Sequence, residues 1–136
     1  MNNSELIKLA LEARKFSYSP YSEFSVGAAL LCEDGSVFTG CNIENSAFSS
    51  TNCAERTAFF KAVSEGKKEF VKIAVVGGDS TEEIPLNYCP PCGVCRQVMK
   101  EFCSPDFEII IAKSPDDYKT LTLAELLPLS FDKREV

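Results

Sequence analysis

Two short stretches of the chain carry residues that could bind a metal ion and move a proton. Cys53 is followed two residues later by Glu55, and a Pro-Cys-x-x-Cys segment at positions 91–95 supplies Cys92 and Cys95. Three cysteine thiolates that leave the fourth position of a tetrahedral zinc ion to water form a catalytic type of site. A carboxylate beside that water can accept its proton and pass it to a leaving group. The sequence therefore predicts zinc held by these three cysteines, with Glu55 as acid and base.

The ends of two predicted helices must bring these residues together. Positions i and i+2 lie roughly 200° apart around a helix axis, so Cys53 and Glu55 can reach one point only off the helix amino end. The polar residues 50–52 just upstream are suited to capping that end. Cys92 and Cys95, at i and i+3, fit the start of a second helix. Two helix amino termini would then face one cluster of thiolates, whose negative charge their dipoles stabilise.

Each half of this pattern also has a simpler interpretation. Taken alone, Cys53-x-Glu55 fits a buried cysteine followed by an ordinary capping box between Asn52 and Glu55. A redox dithiol would explain Cys92 and Cys95, but it would leave the Cys53-x-Glu55 pair without a purpose.

Cys89 provides a second choice of metal ligand, because Cys89 and Cys92 also form a C-x-x-C pair. The two prolines at 90–91 hold that pair extended, whereas residues 93–94 lead directly into a helix, which favours Cys92 with Cys95. A closed site with Cys89 as fourth ligand would instead indicate a non-catalytic structural zinc module.

The absence of histidine limits the chemistry further. With no histidine in the chain, Ser-His-Asp triads, Cys-His dyads and histidine-ligated metals are excluded. Three thiolates and Zn²⁺ sum to a charge of −1, which would leave a bound water poorly acidified. A cation beside the sulfurs would restore acidity, and Arg56 is the candidate by position. The alternative is an exposed helical arginine.

Length and composition indicate one globular domain, spanning residues 1–136. The net charge of −6 argues against a surface that tracks nucleic-acid phosphates, but it does not exclude a nucleoside. No apolar run approaches the roughly 20 residues of a membrane span, and the amino terminus lacks the regions of a signal peptide. Seven cysteines without an export signal suggest reduced thiols, so we expect a cytoplasmic protein that does not bind membranes.

Hydrophobic periodicity predicts the element order α-β-β-α-β-α-β-α and hence an α/β fold with a mixed sheet between helices. Ser4 is expected to cap the first helix, and Asp34-Gly35 to form a hairpin turn. The predicted helices span residues 3–18, 53–65, 93–103 and 121–127, and the strands span 24–32, 36–43, 70–76 and 107–112.

The chain resembles the small homotetrameric cytidine deaminases over nearly its whole length. The resemblance implies a three-layer α/β/α fold with a mixed sheet of about five strands, one zinc ion per subunit and active sites completed by neighbouring subunits. It also implies hydrolytic deamination of cytidine and deoxycytidine in pyrimidine salvage. The matching stretches are Pro20-Tyr21-Ser22 with residues 24–28, residues 40–45, residues 53–58, residues 91–97 and residues 125–128.

The resemblance also implies roles for individual residues. Asn42 and Glu44 would hold the ribose 3′-hydroxyl, and Phe24 would pack on the base. Ala54 would contribute to substrate binding, and Phe131 would reach the site of a neighbouring subunit. At position 48 the chain has Phe where the family commonly has Tyr, and we expect Phe48 to lie near a subunit interface.

The implied reaction suits these residue types. Attack at C4 of cytidine needs a strong nucleophile, and zinc lowers the pKa of a bound water toward about 7. Glu55 would take the proton, deliver it to N3 and assist the departure of ammonia.

The chain departs from the family at Phe48 and in the loop 79–89, which is longer than in compact members of the family. Blasticidin S deaminase shares Cys-Ala-Glu and Pro-Cys-x-x-Cys, but Arg56 and the Asn42-Ile43-Glu44 segment favour the nucleoside enzyme.

Overall fold

The computed structural model describes residues 1–135, which form a mixed five-stranded sheet with helices on both faces. The sheet has the order β2-β1-β3-β4-β5, in which only β3 and β4 run parallel. The predicted three-layer α/β/α architecture is confirmed. No helix within residues 1–135 is long and apolar enough to cross a membrane. The elements are α1 (Asn3–Arg14), β1 (Phe24–Cys32), β2 (Val37–Cys41), α2 (Ala54–Ser64), β3 (Phe70–Asp79), α3 (Gly93–Phe102), β4 (Glu108–Ser114), β5 (Asp117–Thr122) and α4 (Leu123–Leu126).

The hydrophobic core has two parts, one on each face of the sheet. Successive side chains of a strand point to opposite faces, so Ile73 and Val75 of β3 pack under α2 and α3 while Ala74 and Val76 pack under α1. Because both faces are covered, the central strands are almost continuously apolar, as expected for a sheet between two helical layers. The helical side chains that complete the two parts are Ala58, Phe59, Cys95 and Met99 on one face and Leu6, Ile7 and Ala10 on the other.

Glycines let two helices lie directly on the sheet. A Cβ atom at Gly40 of β2 would lie 2.4 Å from the Ala54 carbonyl oxygen and 2.7 Å from the Ala58 nitrogen. At Gly27 of β1 it would lie 2.0 Å from the Ala10 carbonyl oxygen. Because glycine has no side chain, Gly40 allows the first turns of α2 to lie close to β2.

The first helix begins and ends differently from the prediction. Asn2, and not Ser4, caps α1, because its Oδ1 accepts a hydrogen bond from the Glu5 nitrogen at 2.8 Å and the Glu5 carboxylate accepts one from the Asn2 nitrogen at 3.1 Å. The helix ends at Arg14 and not at residue 18, because the backbone of Tyr18 leaves it to pair with Ile43.

The carboxyl-terminal third contains a strand that the sequence pattern did not predict, although the family resemblance implied a sheet of about five strands. Residues 117–122 form β5, which pairs with β4 at the edge of the sheet. Its side chains are largely exposed, so it lacks the apolar alternation by which strands are recognised. The predicted helix 121–127 is reduced to α4, which starts after Thr122, where a capping box with Glu125 fixes the helix start.

The buried Arg14 attaches the loop 79–89 to the helix layer. Its Nε, Nη1 and Nη2 donate to the carbonyl oxygens of Ser25 (2.8 Å), Glu82 (2.7 Å) and Asp79 (2.7 Å). Burial lowers the pKa of the Arg14 guanidinium, against the opposing effect of the Glu82 and Asp79 carboxylates. Two of these three hydrogen bonds therefore hold the amino end of the loop that precedes residues 91–95, and the third joins Arg14 to β1.

We predict that Gly40→Ala destabilises the protein by about 2–3 kcal/mol, because the new methyl group would clash with backbone atoms of α2 that cannot rotate away. Gly93→Ala is the matched control, since nothing lies within 4 Å of a Cβ built there. It should leave stability equal or higher by up to about 1 kcal/mol. Urea unfolding measures both variants. Equal stability of the two would contradict the close packing of α2 on β2.

Candidate metal centre and active site

Two helices begin at the same point and bring three cysteines together. Cys53 is the N-cap of α2 and Cys92 is the N-cap of α3, both with extended backbone, and Cys95 lies in the first turn of α3. The Cys53 and Cys92 sulfurs are 3.7 Å apart, and the Cys92 and Cys95 sulfurs are 3.5 Å apart. All three sulfurs lie within 4.8 Å of one another.

The spacing of the sulfurs suits a tetrahedral zinc ion. Zinc–sulfur bonds of about 2.3 Å in tetrahedral geometry separate the sulfurs by about 3.8 Å, which is close to the observed spacing. Cys95 is buried and Cys53 half-buried, whereas Cys92 is exposed. The group is therefore open to solvent on one side, as a site with a free coordination position requires.

The thiols of Cys53 and Cys95 differ in how readily they lose a proton. A hydrogen bond from the Cys95 thiol and another from Arg56 lower the pKa of Cys53, against the effect of burial. The same bond to Cys53, together with burial, raises the pKa of Cys95. Two thiolates 4 Å apart repel each other by about 4 kcal/mol at an effective dielectric constant of about 20. Full ionisation of the group therefore needs a cation, and metal binding releases protons.

Arg56 lies beside the sulfurs. Its Nη2 donates to the Cys53 sulfur at 3.2 Å. Burial alone would lower the pKa of Arg56, but its hydrogen bonds to Cys53 and Cys95 outweigh burial and raise it. Its Nε is buried and has no hydrogen-bond partner within the described residues. A fixed positive charge therefore stands next to one sulfur, where it offsets the surplus negative charge of three thiolates on a divalent ion.

Glu55 is a buried carboxyl group next to the thiols, with 4% of its surface exposed. Burial, with a contribution from the Cys53 charge, raises the pKa of Glu55 to about 7, although a bond from its own backbone and one from the Cys95 thiol oppose the rise. A carboxyl group with a pKa near neutrality can both accept and donate a proton at neutral pH.

The capping-box interpretation of Glu55 is wrong. The N-cap of α2 is Cys53, which makes no side-chain capping bond. Asn52 instead donates from Nδ2 to Thr57 at 3.2 Å. The Glu55 side chain is therefore not used to cap its own helix.

Cys89 lies near the group of three thiols but outside it. Its sulfur packs against Gly77 of β3, where a Cβ atom would approach it to 2.7 Å. Burial, with the nearby charges of Glu55 and Cys53, raises the pKa of Cys89 to about 12. Among residues 1–135 the group of possible metal ligands contains three cysteines without Cys89, so the closed four-thiolate alternative is not formed.

The side chain of Asn42 is buried and held by the backbone around it. Its Oδ1 accepts from the Val26 nitrogen at 2.9 Å and from the Ser17 hydroxyl, and its Nδ2 donates to the Phe24 carbonyl oxygen at 2.8 Å. An amide nitrogen carries two hydrogens, so Nδ2 retains one for a ligand.

Glu44 is anchored by the turn before β1. Its carboxylate accepts from the Tyr21 and Ser22 nitrogens at 3.0 and 3.1 Å and from the Ser22 hydroxyl. The Ser22 hydroxyl bond is the main reason that the pKa of Glu44 is lowered. Ile43 pairs with Asn52 through two backbone bonds of 2.9 Å. This pairing puts the Asn42–Glu44 segment beside the residue that precedes Cys53.

The other predicted contact residues differ in what they offer a ligand. Phe24 begins β1 with 42% of its surface exposed. The Ala54 side chain is fully buried, which leaves its backbone N–H in the first turn of α2. Phe131 is 58% exposed, and its carbonyl oxygen accepts from Gln97 of α3 at 3.2 Å. Phe48 is 75% exposed, with its ring edge-on to Tyr21.

The sequence analysis did not predict the hydrogen bonds that two arginines, Arg14 and Arg96, make to backbone carbonyl oxygens. Arg14 occupies the apolar stripe of α1, four residues after Ala10, and a charge at such a position was a usable signal. Arg96 donates from Nε to the Pro91 carbonyl oxygen at 2.7 Å and from Nη1 to the Leu126 carbonyl oxygen at 2.6 Å. Nothing in the spacing of residues around Arg96 indicated these bonds.

Comparison with known proteins agrees with this geometry. The family described as "Cytidine and deoxycytidylate deaminase zinc-binding region" matches residues 1–111. A cytidine deaminase of Sporosarcina psychrophila is 49% identical over the whole chain and 96% of its own length. A crystal structure of cytidine deaminase from Burkholderia pseudomallei superposes with a TM-score of 0.87 and 44% identity, and covers 96% of this chain and 100% of its own.

A blasticidin-S deaminase of Bacillus cereus is a more distant relative. It is 31% identical over 95% of this chain and 91% of its own length. The cytidine deaminase of Sporosarcina psychrophila is more similar, because it is 49% identical over the whole of this chain. The matching family is described by a zinc-binding region, and Cys53, Cys92 and Cys95 could together hold a metal ion. The chain belongs to the cytidine deaminase family.

Proposed function

We propose that this chain is a zinc-dependent hydrolase that converts cytidine and deoxycytidine to uridine and deoxyuridine in pyrimidine salvage. The observation that carries the proposal is the buried Glu55 carboxyl group beside an open group of three thiols. Cys53, Cys92 and Cys95 would hold the ion. Zinc held there supplies a Lewis acid that makes a water molecule acidic near neutral pH.

Glu55 would move the protons of the reaction. It accepts one from the attacking water and delivers it to N3 of the base while the water oxygen bonds to C4. It would then take the proton of the new C4 hydroxyl and pass it to the exocyclic amine, so that the C4–N bond breaks, ammonia leaves and the oxygen stays as the 4-carbonyl of uridine. The raised pKa of Glu55, about 7 because of burial, supports both steps at neutral pH.

The substrate would lie between the metal centre and the turn before β1. The spare Nδ2 hydrogen of Asn42 and the Glu44 carboxylate are suited to a sugar hydroxyl, and both are fixed by bonds to backbone groups. The half-exposed Phe24 ring offers a face for the base. The first N–H groups of a helix have no intrahelical partner, so the Ala54 N–H is available to the ligand.

Blasticidin S is the rival substrate, given the 31% identity with a deaminase of that antibiotic. The Asn42 and Glu44 arrangement favours a nucleoside with free ribose hydroxyls. A steady-state comparison of cytidine with the antibiotic separates the two. A larger kcat/KM for the antibiotic would assign the chain to the rival reaction.

The active unit would be a homotetramer. Phe48 and Phe131 are 75% and 58% exposed, and Leu129 is fully exposed with a left-handed backbone (φ 53°). Exposure alone does not mark an interface, since Phe16 is 80% exposed as well, so the choice of Phe48 and Phe131 follows the resemblance to the family. Phe48 and Phe131 would lie at contacts between subunits and help to complete neighbouring sites.

The proposed compartment is the cytoplasm. All seven cysteines are unpaired, and free thiols persist in the reducing conditions of that compartment.

We expect about one zinc ion per purified chain. Serine at Cys53, Cys92 or Cys95 should lower bound zinc strongly, because each substitution removes one of three thiolates. Cys89→Ser is the matched control and should retain zinc, since its sulfur lies outside the group. Elemental analysis of gel-filtered protein measures all four. Loss of zinc in Cys89→Ser alone would reverse the ligand assignment.

Glu55→Gln should reduce kcat by a factor of about 10²–10⁴ or more, because an amide cannot carry the proton. The variant should keep its zinc and its unfolding temperature. Glu101→Gln, an exposed glutamate on α3, is the control and should turn over cytidine at the wild-type rate. Activity of Glu55→Gln within tenfold of wild type would rule out the proposed proton transfer.

Phe131→Ala and Phe48→Ala should weaken the tetramer, because each removes an aromatic side chain from the proposed contacts. Phe16→Ala, at an 80% exposed aromatic residue after α1, is the control. Sedimentation velocity over a dilution series, with activity measured on the same samples, provides the test. A wild-type monomer with full activity at high dilution would contradict shared sites.

A further inference from the structure

Arg96 bridges two separate segments at the metal centre. It follows the metal-ligand candidate Cys95 on α3, and its side chain turns toward two backbone carbonyl oxygens. Nε reaches Pro91 at 2.7 Å, and Nη1 reaches Leu126 at 2.6 Å. The first oxygen belongs to the residue directly before Cys92. The second lies at the end of α4.

The bond to Pro91 fixes the backbone that carries Cys92. A peptide group is planar, so holding the Pro91 carbonyl oxygen orients the plane that ends at the Cys92 Cα. The Cys92 sulfur is exposed on one side, and it accepts from the Cys95 nitrogen at 3.5 Å. The orientation of the Cys92 thiolate therefore depends on that bond and on the backbone segment that precedes Cys92.

The bond to Leu126 joins the carboxyl-terminal segment to the same point. Two other side chains of α3 hold that segment further along, since Gln97 donates to the Phe131 carbonyl oxygen at 3.2 Å and Lys100 lies 4.0 Å from the Asp132 carboxylate. Only Arg96 among these three also contacts the backbone of the metal-binding segment. A guanidinium presents donors from separate nitrogens in one rigid plane, which suits it to two carbonyls on different segments, whereas an ammonium offers all its donors from one atom.

We infer that Arg96 is a positioning residue of the metal centre, which sets the orientation of Cys92 and couples it to the carboxyl-terminal segment. Groups that orient a metal ligand commonly change metal affinity by about 10–100-fold when they are removed. This role of Arg96 rests on the proposed zinc ligands, and it does not depend on which substrate the protein binds.

The test compares Arg96→Ala and Arg96→Lys with two controls. Gln97→Ala removes a neighbouring bond to the tail without touching Pro91. Ile110→Ala lowers stability from the α1 face of the sheet, away from the site. The readouts are the rate of zinc release to a chromogenic chelator, the thiolate-to-cobalt absorption of the Co²⁺-substituted protein, and the unfolding temperature.

Arg96→Ala should release zinc about 10–100 times faster and shift the cobalt absorption. Arg96→Lys, which keeps the charge but offers its donors from a single nitrogen, should release zinc at an intermediate rate. Gln97→Ala and Ile110→Ala should match the wild-type release rate. The inference is overturned if the Arg96→Lys protein keeps the wild-type release rate and cobalt spectrum. It is equally overturned if Ile110→Ala, at a similar unfolding temperature, releases zinc as fast as the Arg96 variants.

Discussion

The structure depends on two helix amino ends meeting at one point. Because Cys53 is the N-cap residue of α2 and Cys92 is the N-cap residue of α3, both sulfurs lie where these helices begin on the sheet. Gly40 allows the first turns of α2 to touch β2. The helix dipoles add partial positive charge where the thiolates gather. The two helix amino ends thus stabilise negative charge on the sulfurs even without a bound metal ion.

The charges around the thiols divide the chemistry between two residues of one helix turn. Arg56 keeps a fixed positive charge against the Cys53 sulfur, with its Nε buried. The Glu55 carboxyl group is buried, and burial raises its pKa to about 7. Successive residues of α2 therefore differ in charge, because Arg56 carries a positive charge beside the Cys53 sulfur and Glu55 has a pKa at which it can accept or donate a proton near neutral pH. The pKa of Glu55 is set by its burial and not by the residue type alone.

The sequence was most informative where structure follows a periodic pattern. Alternating and helical apolar positions predicted α2, α3 and the central strands, and the spacing of Cys53, Cys92 and Cys95 predicted the group that the fold brings together. The edge strand β5 was missed because its exposed side chains follow no apolar pattern. The role of Arg96 was missed because it binds backbone carbonyls, and the acceptor of such a bond leaves no mark in the sequence. Arg14 was missed although its charge in the apolar stripe of α1 was a signal.

We expect deamination to depend on zinc held by Cys53, Cys92 and Cys95. Metal-free protein, prepared with a chelator under reducing conditions, can be titrated with zinc while the loss of cytidine absorbance is followed. Activity should rise in proportion to bound zinc and level off at about one ion per chain. Full activity of the metal-free protein, or activity that does not follow zinc occupancy, would contradict the account.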